Sequence, residues 1–219
     1  MAKRDNISMS VIRRLPRYYR FLDELLRSGI VRISSGELAS RMGLTASQIR
    51  QDLNCFGGFG QQGYGYDVAK LFGEIKSILG VDEGYPAIMI GAGNLGRAVS
   101  IYISGSGKPR GFQLLAMFDK SPKLINTCYN GVPVLNIDDI EQFCRENSPK
   151  AVFLCIPSEG TKQLIDTLYD CGVRYFWNFS HFDIAMKYPD AVVENVHLSD
   201  SLMTLCYHIT HTDTSETDS

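Results

Sequence analysis

Apolar residues recur at alternating spacings of four and three over Val11, Leu15, Tyr18, Leu22 and Leu25, which predicts a helix that buries one face. Pro16 interrupts that stripe. Proline is accepted in the first turn of a helix and disfavoured further in, so it marks the start of the main helix, with residues 10–15 as a short lead-in. Ser34-Ser35-Gly36-Glu37 has the form of a capping box; Leu38, Ala39 and Met42 follow on one face, and Gly43 ends the helix. Thr45-Ala46-Ser47-Gln48 repeats the form and opens a second short helix, with Ile49, Leu53 and Phe56 inward and Ser47, Gln48, Arg50, Gln51 and Asn54 outward. Two short capped helices across a glycine turn, after a longer helix, predict a helix-turn-helix. The segment from Gly57 to Tyr66, rich in glycine and aromatic residues, stands where a wing hairpin would, and residues 67–84 read as a connecting helix carrying Val68, Leu71, Phe72, Ile75 and Leu79.

Near residue 80 the pattern changes to short apolar runs separated by helical stretches, which specifies a parallel α/β sheet. Ala87 to Ile90 is a buried strand that runs into Gly91-Ala92-Gly93-Asn94-Leu95-Gly96. A helix with Ala98, Val99 and Tyr102 follows, then a strand from Gln113 to Phe118 that ends at Asp119. Ala151 to Ile156 and Tyr175 to Asn178 are further strands, with a helix from Thr161 to Cys171 between them. Leu198, Leu202, Leu205 and Ile209 mark a last amphipathic helix before a polar tail that is expected to be disordered.

Composition sharpens this division. The chain of 219 residues is 44% hydrophobic, enough for one large domain or two small ones, and has a net charge of −2. Residues 1–55 hold ten Lys/Arg against five Asp/Glu, a surplus of +5 that leaves −7 for the remainder. A basic head on an acidic body suits a polyanion-binding module joined to a different kind of domain. No run of ~18 apolar residues is present, and the opening MAKRDNISMS lacks the apolar core of an export signal, so a cytoplasmic protein without membrane contact is expected. The six cysteines show no CxxC pairing and sit mostly in apolar stretches, which predicts reduced, buried thiols and no metal site.

Two sets of residues carry the candidate chemistry. The outward face of the second short helix has the side chains that read base edges: Gln and Asn for adenine, Arg for guanine, Ser for phosphate or base. The GxGxxG turn has its required context of strand, helix, second strand and terminal acid. Gly91 makes the turn, Gly93 lets the backbone approach a pyrophosphate, Gly96 lets helix meet strand, and Asp119 can bond both ribose hydroxyls. Asp119 would repel a 2′-phosphate, so NADH/NAD+ is expected over its phosphorylated counterpart, with Lys120 beside it. Strand ends in such sheets face the ligand, which makes Pro157, Ser158, Asn178 and Ser180 candidate walls of the nicotinamide pocket. His181 is the best placed acid-base candidate among four histidines that form no catalytic or metal spacing, and too little chain remains to build a substrate domain.

Across nearly its whole length the chain resembles the Rex family of redox-sensing transcriptional repressors. The resemblance lies in Ile12-Arg13-Arg14-Leu15-Pro16, Arg32-Ile33-Ser34-Ser35-Gly36-Glu37-Leu38, Gln48-Ile49-Arg50-Gln51-Asp52-Leu53, Phe56-Gly57 with Gly63-Tyr64-Gly65-Tyr66-Asp67, Gly91 to Arg97, and Glu194-Asn195-Val196. It implies an α/β chain with an N-terminal winged helix-turn-helix domain (1–80), a C-terminal Rossmann-like parallel sheet domain (81–198), a helix exchanged between the subunits of a homodimer (199–210), and a tail (211–219). It also implies a non-enzymatic repressor that binds palindromic double-stranded operator DNA and is released by NADH. DNA contacts are expected from Arg13, Arg14, Ser34, Ser47, Gln48, Arg50, Gln51, Asn54, Gln62 and Tyr64. The cofactor is expected at residues 91–96 and at Tyr102, Asp119, Lys120, Pro157, Asn178 and Ser180.

Where relatives usually carry cations, this chain has Gln51, Gln61 and Gln62, which implies a shallower salt dependence of DNA binding. His197 stands where some relatives have an Asp. A small NAD(P)-dependent oxidoreductase and a nucleotide-binding module of the CoA-ligase type remain alternatives. Asp119 disfavours CoA, and neither explains the basic head.

Overall fold

The computed structural model describes residues 7–57, 59–61, 64–104 and 111–212. The chain divides into two compact units, Met1–Asp82 and Glu83–Ser219.

In the first unit α1 (Met9–Ile12) breaks at Arg13-Arg14 and α2 (Leu15–Arg27) begins with Pro16 in its first turn, as the proline required. β1 (Arg32–Ile33) leads into α3 (Ser35–Met42), and α4 (Ala46–Asn54) follows after Gly43, whose left-handed φ of 60° ends α3. The wing consists of β2 (Gly60–Gln61) and β3 (Gly65–Asp67), and α5 (Val68–Leu79) completes the unit. β3 pairs antiparallel with both β1 and β2. β1 has no counterpart in the sequence reading, because two residues are too few to show a period. Leu15, Tyr18, Leu22 and Leu25 of α2 pack with Leu38 and Met42, Ile49 and Leu53, and with Val68, Leu71 and Ile75 of α5 in one buried cluster. α5 is therefore a wall of the head's own core, where the sequence suggested only a connector.

The second unit contains β4 (Tyr85–Ile90), α6 (Asn94–Ser104), β5 (Phe112–Asp119), β6 (Cys128–Tyr129), β7 (Val132–Asn136), α7 (Ile140–Asn147), β8 (Ala151–Leu154) and α8 (Ser158–Asp170). It ends with β9 (Tyr175–Asn178), α9 (Ile184–Lys187), β10 (Val192–Asn195) and α10 (Leu198–Thr212). The strand order is β10-β9-β8-β4-β5-β7-β6, parallel throughout except for β6 against β7. Without β6 this is the doubly wound order, and the winding reverses between β4 and β8. Alternation along β4 places Ile88 and Ile90 in one buried layer with Phe118, Val152 and Leu154. Ala87 and Met89 go into the opposite layer with Met117, Val134 and Phe153.

Two expectations need correction. α10 runs from Leu198 through Thr212, so the helix takes in His211 and Thr212, which were expected in the tail; residues 213–219 lie outside the described residues. Cys55, Cys128 and Cys206 are exposed, because each occupies an element's rim or outer face, whereas Cys144 is buried. Burial raises the Cys144 and Cys155 thiols to about 12, well away from a reactive thiolate.

Trp177 is the chain's single tryptophan, and its ring meets Phe153 edge-on at 5.4 Å, while Phe153 meets Phe112 at 5.2 Å. Phe153→Ala is expected to cost about 3–5 kcal/mol. Urea unfolding followed by Trp177 fluorescence, which reports on this unit, should show the unfolding free energy lowered by that amount.

Candidate nucleic-acid interface and dinucleotide site

Ser47, Arg50, Gln51 and Asn54 lie exposed along α4, Gln48 is half-buried, and Ile49, Asp52 and Leu53 face inward. Asp52 is the exception on that inner face: a carboxylate only 1% exposed. Four donors meet it. Arg14 reaches Oδ2 through Nε and Oδ1 through Nη2, both at 2.7 Å; the Tyr18 hydroxyl donates to Oδ2 at 2.9 Å and Gln48 Nε2 to Oδ1 at 2.8 Å. Burial works against the charge on Asp52, and the bonds from Arg14, Gln48 and Tyr18 overcome it, holding the carboxyl below its ordinary range. Burial followed by the bond to Asp52 drives the Tyr18 phenol upward, so it remains a donor.

This cluster adds to two sequence readings. Arg14, expected on DNA, is also the partner of Asp52, an ion pair between residues 38 apart that no local pattern signals. The second capping box is half made: Thr45 Oγ1 accepts from Gln48 N–H at 3.2 Å, but the Gln48 side chain goes to Asp52 instead of back to the cap. The first box forms in full, with Ser34 Oγ accepting from Glu37 N–H at 3.1 Å and Glu37 Oε2 from Ser34 N–H at 2.9 Å. The Ser34 hydroxyl proton is still free to donate. Arg17 donates to the Met42 carbonyl at the end of α3, and Arg50 Nη1 donates to Ser35 Oγ at 3.0 Å, tying α4 to α3. Arg13 is exposed, and Tyr64 is exposed beside Arg32, which donates to its carbonyl at 3.3 Å. Gln62 lies outside the described residues.

In the second unit the glycine turn sits at the reversal of the sheet. Gly91 has a φ of 97°, and a Cβ there would lie 2.6 Å from the Cys155 carbonyl oxygen. Its N–H donates to the Phe118 carbonyl at 2.7 Å, and Cys155 N–H donates to the Ile90 carbonyl at 2.8 Å, so β5, β4 and β8 are knitted together at this point. A Cβ on Gly96 would lie 1.9 Å from the Gly91 carbonyl oxygen. Gly93 differs: nothing lies within 4 Å of the position its Cβ would take. The protein's own packing requires glycine at 91 and 96. The open space over Gly93 fits a pyrophosphate at the start of α6.

Asp119 ends β5 with both carboxylate oxygens held by backbone N–H groups, Oδ2 by Ala92 and Oδ1 by Ser121, each at 2.8 Å. The anion is thereby anchored to the glycine loop, where a ribose hydroxyl would meet it. Asn94 Oδ1 accepts from Arg97 at 2.7 Å, Leu95 and Lys120 are exposed, and Tyr102 is 54% exposed on α6. Pro157 stands at the N-cap of α8 beyond the end of β8, the strand next to β4. Asn178 and Ser180 are buried and bonded to one another: Asn178 Oδ1 accepts from Ser180 Oγ at 2.7 Å, and its Nδ2 donates to Asn195 Oδ1 at 2.7 Å and to the Phe182 carbonyl at 3.0 Å. Their side chains build the turn that supports the strand ends. Among the described residues no group of three or more His, Cys, Asp or Glu could hold a metal ion, and no helix is long and apolar enough to cross a membrane.

A winged helix-turn-helix joined to a switch-point dinucleotide turn defines a ligand-responsive DNA-binding regulator. The model described as "Putative DNA-binding protein N-terminus" matches residues 6–54 and that described as "CoA binding domain" matches residues 82–182. The chain is 50% identical over 208 residues to the redox-sensing transcriptional repressor Rex of Clostridium beijerinckii, covering 94% of this chain and 97% of the relative. It is likewise 50% identical to that of Thermoanaerobacter pseudethanolicus, covering 95% and 92%. The crystal structure of RSP in complex with beta-NAD+ and operator DNA superposes with a TM-score of 0.88 at 45% identity, covering 98% of this chain and 97% of that one. RSP in complex with beta-NADH superposes at 0.85 and 43% identity, covering 96% and 98%. The chain belongs to the Rex family of redox-sensing transcriptional repressors.

The glycines separate fold from ligand. Gly96→Ala should destabilise the second unit by several kcal/mol, because backbone obstructs the new methyl group. Gly93→Val should change its unfolding free energy by less than about 1 kcal/mol and yet abolish dinucleotide binding. Denaturation and NADH fluorescence titration on the two variants check both outcomes.

Proposed function

We propose that this chain is a cytoplasmic, homodimeric repressor that binds palindromic operator DNA and lets go when NADH occupies the turn at Gly91–Gly96, so that it reports the NADH/NAD+ balance. The observation that carries this reading is the union, in one chain, of a polar recognition face on α4 and a glycine turn with unclaimed space at Gly93. The RSP structures, one with NAD+ and operator DNA and one with NADH, support it as relatives do.

Arg13, Ser34, Ser47, Gln48, Arg50, Gln51, Asn54 and Tyr64 form the DNA-facing set. Arg14, expected among them, also holds α4 in place. Gly91 to Gly96 and Asp119 hold the adenosine and pyrophosphate, while Tyr102, Lys120 and Pro157 lie toward the rest of the ligand. Asn178 and Ser180 act by shaping the strand ends. Asp119 argues against CoA as the ligand, because an anchored carboxylate at the ribose repels a phosphate on that sugar. As in relatives named repressors, the dinucleotide is read and not turned over. α10 carries Leu198, Leu202, Leu205 and Ile209 on one face, each more than half exposed, which is the area a partner subunit would cover.

Fluorescence anisotropy of a labelled palindromic operator at fixed salt is expected to show release by NADH at concentrations where NAD+ does little. DNA binding indifferent to both dinucleotides would overturn the sensor. Light scattering should give a dimer for the natural chain, and a double variant Leu202→Glu, Leu205→Glu should give a monomer that binds the operator at least tenfold more weakly.

A further inference from the structure

We infer that Gln48 meets DNA with its side-chain carbonyl outward, because the buried Asp52 fixes which end of the amide faces in, and that it therefore selects a base presenting an amino donor in the major groove. The inference rests on α4 being the DNA-reading helix.

The chemistry of the contact decides the orientation. Asp52 is held ionised by Arg14, and an ionised carboxylate can only accept hydrogen bonds. The Gln48 atom 2.8 Å from Asp52 Oδ1 must be the nitrogen, since an oxygen there would set acceptor against acceptor. Turning the amide over would lose a charge-assisted bond beside a carboxylate that is 1% exposed, and water cannot fill in for it. Oδ1 also takes Arg14 Nη2, and Oδ2 takes Arg14 Nε and the Tyr18 hydroxyl, so the carboxylate itself has no freedom to turn. Gln48 is the third residue of α4, in the first turn, where recognition helices place their base contacts. Its Oε1 then points away from the core as an acceptor. In the major groove the donors it can meet are the adenine N6 and cytosine N4 amino groups; guanine O6 and thymine O4 are acceptors. Asp52 touches no DNA on this account and acts as a positioning residue.

A duplex enriched by the full-length chain from a random pool supplies the operator, and binding is measured on it by anisotropy. Gln48→Ala, on an outer helix position, should flatten the preference at one base pair in each half-site. At that pair, removing only the amino group (purine for adenine, or 2-pyrimidinone for cytosine) should weaken the natural chain roughly five- to tenfold and Gln48→Ala less than about twofold. Gln48→Glu, an acceptor at both ends, should bind more weakly overall and keep the same base ranking. Asp52→Asn, if circular dichroism shows it folded, should relax that ranking, because the amide can then turn over.

Three results overturn the inference while leaving the repressor reading intact: no position depends on Gln48, removal of O6 or O4 in place of the amino group weakens binding, or Gln48→Glu inverts the ranking. If the pool yields no enriched sequence at all, the DNA-binding reading fails and this inference falls with it.

Discussion

A carboxylate out of reach of water governs the DNA-binding unit. Asp52 lies among Ile49, Leu53 and the apolar stripe of α2, and such a charge is tolerable only when every lone pair is met and a cation stands against it. Arg14 supplies the cation and two of the four bonds, at the joint where α1 stops and α2 starts, and Tyr18 and Gln48 supply the other two. One carboxylate therefore ties the start of α2 to α4 and fixes the side-chain orientation of Gln48. Apolar packing alone would hold α4 to the core but would let it rotate and slide. Directional bonds to a planar carboxylate remove that freedom.

The dinucleotide unit is organised by backbone in place of charge. At Gly91 three strands exchange hydrogen bonds, and the space left over is smaller than a methyl group. That crowding brings the Asp119 carboxylate within 2.8 Å of Ala92 N–H and opens α6 directly from the turn.

What could be read from sequence was what is local. Pro16, the Ser34–Glu37 box and the left-handed Gly43 each act within one helical turn, and the GxGxxG run has its strand, helix and acid within 30 residues. The Arg14–Asp52 pair could not be read, because its two residues stand 38 positions apart and no local pattern links them. Gln48 misled as a capping residue: the Thr45 backbone N–H offers a donor to its carbonyl and Asp52 an acceptor to its amide nitrogen, and the charged, buried partner wins. β6, β7 and α7 fall between Asp119 and Ala151, where mixed polar residues blur any period; β10 is a four-residue edge strand with three exposed positions and lacks the apolar run that announces a central one.

The geometry also divides affinity from response. NADH and NAD+ share adenosine, ribose and pyrophosphate and differ only at the nicotinamide ring. In the proposed site Gly91, Gly93, Gly96 and Asp119 address the shared part, so they add equally to both forms. A ligand moves a two-state equilibrium only by its difference in affinity for the two states. The glycine turn and Asp119 therefore set how much dinucleotide is bound in total. In the proposed site the discrimination falls to the far end of the ligand, beyond the strand ends, where Pro157 caps α8 and Tyr102 lies exposed on α6. A substitution at Asp119 should shift both binding curves together, whereas one at Tyr102 should separate or merge them.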